Sequence, residues 1–188
     1  MMTVASKSSD RRKKQPGVGQ PCPAPAQSGA TVGARKRAGE DAWELVHPRC
    51  ARDRADDLDE VRKMIEAGEV DVAIDECRWL LQGCSDCLEA HRILGEIALG
   101  ANDLPLARGH FGYAYRLGTQ ALAQARCKGP LPYRLAANQG FHESGKALAW
   151  CLMQLGKAEM AAEVVELLLA CDPGDPLCVT NLLATDGR

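Results

Sequence analysis

From Asp56 to Cys171 the chain is a succession of apolar-periodic stretches separated by chain breakers, and this constrains its fold more than any other feature. Apolar residues recur at the three- and four-residue spacing that gives a helix one buried face. The spacing predicts helices over 56–67, 70–82, 87–100, 104–125, 140–155 and 158–171, with a short stub after Pro176. Stops are expected at Gly68, Gly83, Asn102-Asp103 and Gly156, and in the run Asp172-Pro173-Gly174-Asp175-Pro176. No alternating strand pattern competes. The segment 127–138 (CKGPLPYRLAAN) is too broken by Pro and Gly for a clean helix. Aromatic residues are only 4% against 46% apolar, with Ala and Leu dominant, which suits packed helices rather than a sandwich or barrel. The expected class is all-α.

Charge divides the chain. Of 23 basic and 25 acidic residues, eight basic ones (Lys7, Arg11, Arg12, Lys13, Lys14, Arg35, Lys36, Arg37) and two acidic ones (Asp10, Glu40) lie in 1–40. The remaining 15 basic and 23 acidic residues make an acidic body, which argues against nucleic acid as its ligand. Residues 1–40 are rich in Ser, Pro, Gly and Ala, lack periodic apolar positions, and are expected to be a disordered basic tail. Residues 41–53 are expected to be a linker in which Trp43, Leu45 and Val46 dock on the domain and Pro48 limits any helix. The repeat domain is expected over 54–188. No apolar run is long enough to span a membrane. The charged N-terminus is followed by no apolar segment and does not read as a secretory leader. The nine cysteines are odd in number and mostly fall inside helical patterns. They are expected to be reduced thiols in a cytoplasmic protein rather than a disulfide framework.

The helical stretches are also self-similar. From Leu88, the residues Leu94, Gly95 and Ala98 precede Ala107, Phe111 and Ala114. From His142, Leu148, Ala149 and Leu152 precede Ala161, Val165, Leu168 and Pro173. From Arg54, Val61 and Met64 precede Ala73, Cys77 and Leu80. This order of large and small residues resembles the tetratricopeptide repeat, a helix–turn–helix unit of about 34 residues. The resemblance places repeats near 54–87, 88–121 and 142–175, an insertion at 122–141 and a capping stub at 176–183. No repeat carries the family's Trp near the start of its first helix, and the insertion breaks the regular stacking.

The resemblance implies an α-solenoid of about three repeats whose first helices line a concave groove. The groove positions are Leu58, Arg62 and Ile65, then Glu89, Arg92, Glu96 and Leu99, then Glu143, Lys146, Trp150 and Met153. Arg62, Arg92, Glu96, Leu99, Glu143, Lys146, Trp150 and Met153 are the candidate partner-binding residues. The implied function is an adaptor or scaffold holding a protein or peptide, with no cofactor and no catalytic residues. Lys146 stands where some family members clamp a C-terminal carboxylate, but Trp150 replaces the expected Asn, which speaks against that subtype.

Two alternatives come from the residues themselves. Cys84-Ser-Asp-Cys87 followed by His91 has the spacing with which zinc sites begin, and also that of a redox dithiol. A self-associating structural subunit is the other, since three repeats is near the minimum for independent stability. The run Gly140–Lys146 approaches a phosphate-binding loop, but Ala147 stands where a magnesium-holding hydroxyl is needed. His142-Glu143 begins a zinc-protease pattern that Lys146 ends. All three tyrosines, Tyr113, Tyr115 and Tyr133, fall around the insertion and are expected to cover the apolar surface that it opens.

Overall fold

A computed structural model describes residues 31–184. The chain opens with a β-hairpin, β1 (Gly33–Lys36) and β2 (Trp43–Val46), followed by a one-turn helix α1 (Arg49–Arg52). Helices α2 (Ala55–Glu66), α3 (Val70–Gly83), α4 (Leu88–Gly100), α5 (Leu104–Gln124), α6 (Ala136–Gln154) and α7 (Ala158–Cys171) follow, and α8 (Asn181–Ala184) is the short stub. Each helix from α2 to α7 packs on the next, and α4 also touches α6.

The expected stops end the helices. Gly68 and Gly156 follow α2 and α6 with φ of 82° and 69°, the left-handed conformation that closes a helix C-terminus. Asn102 takes the same region after α4 with φ of 60°. Asp103 then caps α5, accepting the Leu106 N–H at 3.0 Å.

The repeat positions form the core. Val61, Ala73, Cys77, Leu80, Ala107, Phe111, Ala114, Ala149, Ala161 and Val165 are buried. Gly95 lets α5 approach α4: a Cβ there would stand 2.7 Å from the Phe111 ring. Two apolar clusters result. One joins Val61, Ala73, Cys77, Leu80, Ile93 and Leu94 around α2–α4, and the other joins Ala98, Phe111, Phe141, Leu152 and Leu168 around α4–α7. Helix α4 supplies both.

The hairpin corrects two sequence expectations. The described part of the expected tail, from residue 31, is strand rather than disorder, while residues 1–30 lie outside the described residues. The fold is mostly helical, consistent with the all-α expectation, with a two-stranded hairpin added among the described residues. The expected linker contains β2 and α1. The pairing runs from Gly33↔Val46 to Lys36↔Trp43 and buries Val32 and Leu45 in the second cluster. Composition hid it because the basic triplet is locally neutralised. Arg35 pairs with Glu44 at 2.6 Å, Lys36 with Asp41 at 3.0 Å, and Arg37 with Glu44 at 2.8 Å.

The insertion is a scaffold for this hairpin. Leu131 is fully buried and its N–H donates to the Cys171 carbonyl at 2.8 Å. Trp43 N–H donates to the Pro130 carbonyl at 2.7 Å. Asn138 opens the buried face of α6, which begins at Ala136 rather than near residue 140. Its amide oxygen accepts from Leu45 N–H, and its Nδ2 donates to the Trp43 and Pro132 carbonyls. The insertion tyrosines contribute too: Tyr115 stacks on Phe141, and the Tyr133 hydroxyl donates to Glu143 at 2.9 Å.

Candidate functional site

Helices α2, α4 and α6 carry all the candidate groove residues. Helical spacing puts Glu89, Arg92, Glu96 and Leu99 on one face of α4, and Glu143, Lys146, Trp150 and Met153 on one face of α6. The charged members meet in a ladder across the three helices. Arg62 bridges Asp59 and Glu89, at 2.6 Å each. Arg92 donates to both Glu89 oxygens at 2.9 and 2.5 Å, reaches Glu143 at 3.4 Å, and pairs with Glu96.

Burial shapes this ladder. It works against the Glu89 charge, yet Arg92 and Arg62 outweigh it and hold the Glu89 pKa below the usual range. Burial likewise works against the Arg92 charge, and Glu89, Glu96 and Glu143 outweigh it. The Arg92 side chain is only 15% exposed. Arg62 and Arg92 are therefore joined through Glu89, and Glu143 is held by Arg92 and the Tyr133 hydroxyl. Breaking such a desolvated network strands a charge. Glu89 is its hub, a role whose only sequence signal is the Glu89–Arg92 spacing of three.

The apolar candidates gather at the other end of this face. Trp150 is 37% exposed, a high value for so large an apolar side chain. With Leu99, Ala147, Leu177 and Leu182 it lines a cleft of about 400 Å³ whose walls include Glu143 and Lys146. Leu177 and Leu182 come from the stub region, which the sequence assigned only a capping role. Met153 is half-buried against the core rather than in this cleft, and Leu58 is buried outright. A larger cleft, about 800 Å³, lies between the end of α5, the loop at 127–130 and α7. It presents no large exposed apolar side chain, so the Trp150 cleft is the better anchor site.

The cysteine candidates are placed differently from expectation. Cys84 is bonded to Cys50, with their Cα atoms 5.7 Å apart, where the sequence had led to free thiols. The physical reason is that α1 brings Cys50 against the end of α3, a contact that the spacing in sequence does not reveal. Cys87 begins α4 as a buried free thiol, and burial raises its pKa. His91 hydrogen-bonds the Ser85 carbonyl at 3.2 Å and His110 at 3.3 Å. Burial, with backing from His110 and Arg116, pushes its pKa down to about 4. Cys84, Cys87 and His91 thus do not converge on one point. Among the described residues, no three His, Cys, Asp or Glu side chains are grouped to hold a metal ion.

The Gly140–Lys146 run is helical, inside α6. Its glycines serve packing: a Cβ at Gly140 would meet Leu88 at 2.8 Å, and one at Gly145 would meet Leu168 at 2.9 Å. Among the described residues no helix is long and apolar enough to cross a membrane.

The fold and site define a mostly helical protein of consecutively packed helices with a charged and apolar face along α2, α4 and α6. No family model, no curated protein and no solved structure matches the chain.

Proposed function

We propose that this chain is a tetratricopeptide-like interaction module that holds a peptide or helix of another protein across the face formed by α2, α4 and α6. Trp150 carries the proposal. It is a large aromatic left half in solvent, set over an apolar cleft, on a face whose charges are otherwise joined in a ladder. Trp is among the residues that most often anchor interfaces. The close fit of Gly95 against Phe111, at the positions where the repeat pattern has its small and aromatic residues, supports the family reading.

The chemistry of the site suits a bulky apolar side chain entering the cleft, with Glu143 and Lys146 in its walls to orient flanking polar groups. The bound segment is held without any bond being made or broken, so no residue has a catalytic role. Its place of action is proposed to be the cytoplasm.

A displayed peptide library selected on the intact chain tests this. Wild type is expected to enrich peptides sharing a bulky apolar residue, with binding that saturates and quenches Trp150 fluorescence. Trp150→Ala should lose them. Peptides that bind wild type and Trp150→Ala equally would place the partner elsewhere.

A further inference from the structure

The segment from β2 to α1 crosses from one core cluster to the other within a few residues. Leu45 of β2 is buried with the α4–α7 cluster, while Ala51 and Cys50 of α1 sit with the α2–α4 cluster. The Leu45 end is fixed by Asn138, and the His47 ring hydrogen-bonds the Ala137 carbonyl at 2.8 Å. The other end is fixed covalently, by the bond from Cys50 to Cys84 at the end of α3. The strap therefore ties the first helical pair, α2–α3, to α6.

Without that bond the pair is held by its apolar packing on α4. The ion pair of Arg62 with Glu89 crosses the same seam. Arg54 lies over the Trp79 ring at 4.4 Å, but both belong to the pair's own end of the strap.

We propose that Cys50–Cys84 is a redox-controlled site that sets whether α2–α3 is locked against the rest of the molecule. A dithiol reductant opens it. One reductant thiolate attacks a sulfur of the pair and forms a mixed disulfide, and the other cysteine leaves as a thiolate. The second reductant thiol then closes the reductant's own disulfide. Two electrons pass to Cys50 and Cys84, and each takes up a proton. A disulfide oxidant reverses the sequence. Cys50 is half-buried and Cys84 buried, so the bond is approached from the Cys50 side. The neighbouring thiols do not compete. Cys77 and Cys87 are buried, and burial keeps both protonated, the Cys77 pKa rising to about 12.

Opening the site leaves the pair held by non-covalent ties alone, the apolar cluster it shares with α4 and the Arg62–Glu89 ion pair. The pair then moves on its own, and Arg62 leaves the ladder on the groove face. This consequence bears on the proposed groove, but its test does not use a partner, so either idea can fail without the other.

Hydrogen exchange followed by mass spectrometry on the intact chain is the experiment, without and with dithiothreitol. Thiol blocking under denaturing conditions first reports the bond, which should protect Cys50 and Cys84 only in the oxidised sample. Reduction is expected to speed exchange in residues 55–83 by about tenfold or more and to leave 104–171 unchanged. Cys50→Ser should exchange like the reduced chain in either buffer. If that variant does not fold, the wild-type comparison still decides. Equal exchange in both states, an increase spread over all helices, or free Cys50 and Cys84 in the oxidised sample would each overturn the proposal.

Discussion

The side-chain amide of Asn138 completes the hydrogen bonding of Leu45, its oxygen accepting the Leu45 N–H at 2.9 Å across a separation of 93 residues. The same amide donates to the carbonyls of Trp43 at 3.1 Å and Pro132 at 3.0 Å, and Asn138 is fully buried. One side chain thus joins the hairpin, the insertion and α6.

Asn138→Leu keeps the branched shape and removes all three bonds. The Leu45 N–H and two carbonyls are left without that partner. The expected loss of stability is about 3 kcal/mol or more, measured by urea unfolding, because stranded buried polar groups carry their full desolvation cost. Hydrogen exchange should show the hairpin released first. A loss under about 1 kcal/mol would mean that the hairpin docks by apolar contact alone.

Glycine substitutions should separate by location. A Cβ at Gly95 would lie 2.7 Å from the Phe111 ring, and one at Gly118 only 2.2 Å from the Phe141 ring. Gly95→Ala and Gly118→Ala are expected to cost about 1–3 kcal/mol through overpacking, Gly118→Ala the more. Gly109, also in α5, has nothing within 4 Å of its Cβ position. Gly109→Ala should instead stabilise by up to about 1 kcal/mol, since Ala favours helix over Gly. Thermal unfolding of the three variants gives the signs directly.

Acid should weaken the fold through its buried histidines. Burial lowers the pKa of His91 from 6.5 to about 4, and burial also lowers those of His110 and His142. Around His91 stand His110, Tyr113, Arg116 and the Ser85 carbonyl, with no acid among them. The unfolded chain therefore binds protons that the folded chain refuses. Stability from these groups is complete above about pH 6.5 and is lost as pH falls toward 4, with His91 contributing on the order of 3 kcal/mol. Urea titrations at pH 7 and pH 4.5 measure the drop. His91→Gln should make it shallower, and an unchanged drop would remove His91 from the account.

Arg92 and Trp150 should respond in opposite ways. Arg92 is paired with Glu89, Glu96 and Glu143, so Arg92→Glu sets a fourth carboxylate among three and should destabilise by about 3–5 kcal/mol. Trp150→Ala removes a side chain left partly in solvent and should change stability by about 1 kcal/mol or less while abolishing peptide capture. Circular dichroism during urea unfolding, beside the peptide assay, separates the two. Arg92→Glu is for this reason a poor probe of binding by itself.

The helical part of the fold was legible in the chain because its signals are local. Apolar spacing marks one face of each helix, and Gly68, Asn102 and Gly156 end helices through their own backbone preference. The recurrence of small and large residues also marked the buried positions, since Gly95 and Phe111 must fit each other whatever surrounds them.

The site was legible only in part. Trp150, Leu99, Lys146 and Glu143 were named from the tetratricopeptide resemblance, and tertiary structure brings them to one cleft. What the sequence could not supply depends on contacts between distant segments. The basic triplet at 35–37 reads as tail until Glu44 and Asp41 fold back on it. Cys84 reads as a partner of Cys87 until α1 sets Cys50 beside it. Arg92 reads as a free binding residue until α6 brings Glu143 to it. Local pattern alone determined where most helices stop and turn their apolar faces; only the tertiary structure decided where α6 begins, which charges are neutralised, which thiols are joined and which aromatics remain exposed, because each of these depends on a neighbour far away in the chain.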